Sequence, residues 1–129
     1  MSVRSSLEQH FGNWLATQSP AIPTAWENAA FTPPASGTAY ARAFLMPAAR
    51  YGASLCALEE SGIMQVSLVY PANTGTGAVT AKAESLCTHF APGKYAGFSI
   101  RVPPYYSQGI PTDDGRYMIP VSIFYAADL

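Results

Sequence analysis

Charge is what this 129-residue sequence has least of. Lysine, arginine, aspartate and glutamate make up 12% of it, about half of the usual quarter. A folded chain of this mass exposes about 6,600 Å², so the charged side chains are spread at roughly one per 440 Å², with wide neutral stretches between them. That is the composition of a surface covered by other subunits, and it predicts an oligomer. The net charge of −1 provides no cationic field, which argues against sequence-specific nucleic-acid binding. The basic residues Arg4, Arg42, Arg50, Lys82, Lys94, Arg101 and Arg116 stand singly, so no polybasic segment points to a membrane surface. No apolar run approaches the roughly 18 residues of a spanning helix, and Met1–Ser6 leads into an amphipathic helix rather than a cleavable signal, so an intracellular protein is expected.

Sites of chemistry are equally sparse. The two cysteines, Cys56 and Cys87, sit in apolar settings and are expected to be reduced, buried thiols rather than a disulfide. The two histidines, His10 and His89, adjoin no nucleophile motif, and the chain lacks Gly-x-Ser-x-Gly, His-Glu-x-x-His and Cys-x-x-Cys. No catalytic, cofactor-binding or metal-binding residue is therefore expected. Four weaker constellations have simpler readings. Cys87 and His89 could join Cys56 or His10 on zinc, but ligands two positions apart on a helix splay by about 200°. Gly75-Thr76-Gly77 lacks the lysine, third glycine and downstream acid of phosphate-binding loops and reads as a strand-to-helix turn. Asp113-Asp114-Gly115 reads as a turn rather than a cation site. Glu59-Glu60 reads as a solvated hairpin tip.

What is present is a regular alternation of elements. Ser5 and Glu8 have capping-box spacing, and Val3, Leu7, Phe11, Trp14 and Leu15 recur at helical period, predicting a helix over about 5–17. Residues 22–26 read as an edge strand because Pro23 cannot donate a ladder bond. Strands are expected at 40–46 (ending at Pro47), 53–58, 64–70, 98–102 and 117–125, with the third and fourth joined as a hairpin through Glu59–Gly62. A second helix, capped by Thr74 or Thr76, carries Val79, Ala83, Leu86, Cys87 and Phe90 on its apolar stripe. The order predicts one α+β domain spanning 1–129: a mostly antiparallel sheet of about six strands with both helices on one face.

Two loops are costly for simple connectors. Residues 27–39 hold Phe31 among prolines, and 103–116 hold Tyr105 and Tyr106 among three prolines and two glycines. Trp26, Phe31, Tyr105 and Tyr106 are the candidate subunit-interface residues, because exposed aromatic area yields most in an interface. The competing reading has these loops folded back over the subunit's own core.

Together these segments resemble a known family. Ile22-Pro23-Thr24-Ala25-Trp26-Glu27-Asn28, Phe31-Thr32-Pro33-Pro34, Gly62-Ile63-Met64-Gln65-Val66 and Tyr70-Pro71 with Gly75 and Gly77 are followed by Ile100–Pro104, Gly109, Arg116–Val121 and Tyr125. Over about residues 3–126 this pattern resembles the tail terminator, or tail completion, proteins of long-tailed bacteriophages, the minor tail protein U group. The resemblance implies an α+β subunit that forms a homo-oligomeric ring, a hexamer, on the head-proximal end of the tail tube, made in the host cytoplasm and carried in the virion tail. It implies the tail tube protein and a head-completion protein as partners, no cofactor and no catalysis. Two alternatives remain at the level of sequence: another small ring or adaptor of the phage neck or baseplate, and a monomeric ligand-binding α+β domain.

Overall fold

The computed structural model describes residues 2–18, 21–35, 38–54, 57–71, 73, 75–112 and 115–128. Cys56, Thr74, Asp113 and Asp114 lie outside the described residues, and with them the expectations placed there. Helix α1 spans Val3–Leu15 and opens on Ser2, whose Oγ accepts from the backbone N–H of Ser5 at 3.1 Å. That bond satisfies one of the donors that every helix start leaves without an internal partner. Helix α2 spans Gly77–His89; Thr76 stands at its cap position without a side-chain bond.

Eight strands form one sheet: β1 (Thr24–Trp26), β2 (Tyr40–Ser54), β3 (Ala57–Tyr70), β4 (Gly93–Tyr95), β5 (Phe98–Ile100), β6 (Tyr105–Tyr106), β7 (Ile110–Pro111) and β8 (Tyr117–Asp128). The order is β1-β2-β3-β8-β5-β4, and β6 and β7 also pair with β8. Only β1 and β2 run parallel. The expected α+β architecture is present, with eight strands instead of about six. The additions are β4, β6 and β7, each of two or three residues, too short to show a period in sequence, while the separate strand expected at 53–58 is absent: Ala53 and Ser54 end β2, and Ala57 and Leu58 begin β3.

Two expectations about the middle of the chain are corrected. Pro47 does not end β2: β1 pairs only with Ala41–Ala43, so β2 is an edge strand at Pro47, where a missing N–H costs no ladder bond. A register shift between Pro47 and Ala49 absorbs the irregularity. Glu59–Gly62 is not a turn either. It lies within β3, and Glu59 and Glu60 are buried. Both are held by partners remote in sequence: Arg101 donates to both carboxylate oxygens of Glu59 at 3.1 Å, and the Tyr125 hydroxyl donates to Glu60 at 3.1 Å. Gly62 makes room for that tyrosine, since a Cβ there would come within 2.7 Å of the Tyr125 hydroxyl oxygen and 2.6 Å of the Met46 carbonyl oxygen.

Strand period then divides the side chains between two faces. Ala41 and Ala43 of β2, Met64, Val66 and Leu68 of β3, and Ile119, Val121 and Ile123 of β8 face the helices, where Leu7, Phe11, Val79, Ala83 and Leu86 complete the core. Gly97, with φ of +94°, turns β4 into β5 against Ser6 of α1. The residues between them in each strand face away from the helices.

Candidate assembly surface

This second face carries an apolar row that no helix covers. Met46 of β2 stands opposite Ile63 of β3, which stands opposite Phe124 of β8. Tyr105 extends the row from β6: its register partner is Ser122, and its ring stacks on Phe124 with centroids 5.9 Å apart. Val102 joins it across a concave site of about 270 Å³ lined by Ser61, Ile63, Arg101, Phe124 and Ala126. Exposure is high for side chains of this type: 41% for Met46, 50% for Val102, 52% for Tyr105 and 47% for Ile110, which lies on the same face opposite Met118. The other end of the face is closed by the chain itself. Phe31 meets the buried Tyr40 ring at 5.5 Å, and Arg116, stacked over Tyr40 at 5.0 Å, donates to the Pro34 carbonyl. Residues 31–34 thus form a strap across the sheet.

The four aromatic candidates from the sequence are therefore not one patch. Trp26 is half-buried edge-on against Phe11 at 5.6 Å, and Phe31 belongs to the strap. Tyr105 faces the bare row. Tyr106, one residue on, faces the helices, where its hydroxyl donates to Glu84 at 3.1 Å. That bond, reinforced by the nearby negative charge, raises the Tyr106 pKa.

The helix layer holds a contact that nothing local in the sequence signals. His10 and His89 stack with centroids 4.0 Å apart, and each ring bonds the other residue's backbone: His10 Nε2–H to His89 O at 2.8 Å, His89 Nε2–H to His10 O at 2.7 Å. Burial among Phe90, Tyr95 and Phe98 is the main cause of a lowered His10 pKa; the bond to the His89 carbonyl opposes that shift in part, and the charge of the His89 ring adds a smaller lowering. This clasp bolts α1 to α2 and engages Nε2 of each ring. Among the described residues no group of three or more His, Cys, Asp or Glu side chains could hold a metal. Cys87 is half-buried; burial first, and Glu84 second, raise its thiol pKa, which suppresses the reactive thiolate. Glu27 ties a third point, accepting from Arg4 at 2.8 Å and from the Leu45 backbone.

A sequence model of the phage tail terminator protein family matches residues 2–125. The chain belongs to that family. A search of curated protein sequences returned no significant match. A solved structure 30% identical in sequence superposes with a TM-score of 0.74 over 97% of this chain and 92% of the other. As a tail terminator family member it is a structural component of a phage tail, with contacts inside that tail. No described helix is long and apolar enough to cross a membrane. Sequence reasoning found this family but missed Met46, Ile63, Val102 and Phe124. The available signal was that β2 and β8 are apolar on both alternating sets, as Phe44, Met46, Met118 and Phe124 show. A sheet with one wetted side alternates cleanly between apolar and polar instead.

Proposed function

We propose that this terminator family member, acting as one domain over 1–129, closes into a hexameric ring on the end of the tail tube. There it halts polymerisation of the tail tube protein and presents the surface on which a head-completion protein docks. The role is mechanical, with no catalysis or cofactor, and the protein works first in the host cytoplasm and then in the virion tail. One observation carries the reading beyond family membership: the row Met46–Ile63–Phe124–Tyr105 leaves large side chains in water on a chain that carries little charge. Such a contiguous apolar patch marks an interaction site.

Native mass spectrometry at low micromolar concentration tests the ring, with a six-subunit species expected. Addition of the protein to growing tubes of the cognate tail tube protein tests the cap: tube elongation stops at substoichiometric amounts. Tubes that grow on undisturbed in the presence of assembled rings would refute the capping role.

A further inference from the structure

We infer that the bare sheet face of one subunit seats on the helix layer of a second copy, with Tyr105 and Tyr106 on opposite sides of two successive contacts. The inference rests on the ring reading above and assigns its surfaces. A ring needs two unlike patches per subunit, since a patch that matches only itself stops at a dimer. Strand β6 supplies one residue to each: its period sends Tyr105 to the bare face and Tyr106 to the helix layer.

Charge decides against the self-matching alternative. The exposed charged side chains described on the bare face are Arg42, which shares it with Ser67 and Pro120, Lys94, which shares it with Ser99 and Ala126, and Arg101 at the rim of the concave site. All are cations; the carboxylate paired with Arg101, Glu59, is buried beneath it. Laying this face on a copy of itself sets like charges together across the contact, which costs affinity. The helix layer offers what fits. On α2, Ala78, Ala81, Ser85 and Thr88 are exposed and small, so a sheet can approach closely, and Glu84 stands among them with the Tyr106 hydroxyl on it. An exposed carboxylate beside a tyrosine ring complements an apolar row fringed by arginine and lysine. One residue of the pair is thus a knob on one subunit and the other a wall of the groove on the next.

The test uses two variants, each damaging one surface at an exposed position: Tyr105→Lys on the sheet face and Ala81→Arg on the helix layer, with Glu84→Lys as a second helix-layer variant. Circular dichroism melts establish that each is folded. Truncation-scale losses at a buried contact weaken association by about thirtyfold or more, so each variant alone should run as a monomer at concentrations where the wild type is multimeric. Mixed in equal amounts, Tyr105→Lys and Ala81→Arg should form heterodimers and nothing larger, because each pair retains one intact contact between an undamaged helix layer and an undamaged sheet face. Folded Ala81→Arg and Glu84→Lys variants that keep the wild-type multimer mass would overturn the assignment while leaving the ring standing. So would a mixture that stays monomeric. If the Tyr105→Lys variant also keeps that mass, the bare face is free for the tail tube protein instead. A wild type that is itself monomeric sinks the ring reading, and this inference with it.

Discussion

The two faces of one sheet are built from the same strands by the same alternation, yet they end in opposite states. Toward the helices, Leu68, Val66, Val121 and Ile123 are fully buried, and even the large Phe11 and Phe90 are sealed. Away from them, Met46, Tyr105 and Ile110 remain in water, and only the strap end is closed. The difference is coverage, not composition. A strand apolar on both sides needs two covers, and this chain provides one complete layer and part of another.

Core truncation should show the contrast at its largest. Phe11→Ala removes a ring that contacts Trp14 and Trp26 and should cost about 3–5 kcal/mol in urea unfolding. In the isolated subunit Tyr105→Ser should cost under about 1 kcal/mol, since half of the Tyr105 surface is in water in the folded chain. Equal losses in the two variants would mean that the row around Tyr105 is core rather than free surface. The strap should fall between them. Arg116→Met breaks the bond to Pro34 and the stack on Tyr40, with an expected loss of about 1–3 kcal/mol and increased binding of an apolar dye to the uncovered end of the face. Gly62→Ala forces a Cβ into the Tyr125 hydroxyl, and overpacking of that kind should cost about 1–3 kcal/mol in the same assay.

How far the sequence revealed this structure follows from the range of the interactions. Both helices were visible because their apolar stripes are local, and β8 because its alternation runs over twelve residues. The interior of the β2–β3 hairpin was not. Glu59 and Glu60 look like a turn until Arg101 and Tyr125, remote in sequence, supply the partners that let them be buried. Of the four aromatic interface candidates, Tyr105 and Tyr106 are exposed, and their opposite orientation depends on pairing with Ser122 and Val121. Trp26 and Phe31 carry the same local signal of an aromatic near prolines. Only the presence of Phe11 and Tyr40 beneath them distinguishes covering a core from offering a surface.

The smallest expected effects concern ionisation. Because His10 has a lowered pKa when folded, the unfolded chain takes up its proton first as pH falls through 6.5. Stability from this group is complete above that value, declines as the solution acidifies toward the folded pKa, and then levels off. Urea titrations at pH 7.5 and 5.5 should show the wild type losing stability and His10→Gln losing less. A steeper loss in the variant would contradict the assignment. Carboxylates such as Glu27, whose pKa is lowered from 4.5 by Arg4, act only in more acidic solution. Cys87 should react slowly with a thiol reagent at pH 7.5 when native and quickly in urea.

The histidine clasp also constrains the order in which the molecule assembles. Its two halves lie 79 residues apart, so closing it early would carry the entropy of a loop containing most of the chain, whereas the β2–β3 hairpin closes locally. The clasp is accordingly expected to form on the native side of the folding barrier. Its loss in His10→Gln should speed unfolding and leave the refolding rate almost unchanged, a φ-value near zero in stopped-flow measurements. A latch of this kind governs how long a folded subunit stays folded rather than how fast it folds, which is the useful property for a part that must outlast its own synthesis inside a finished particle.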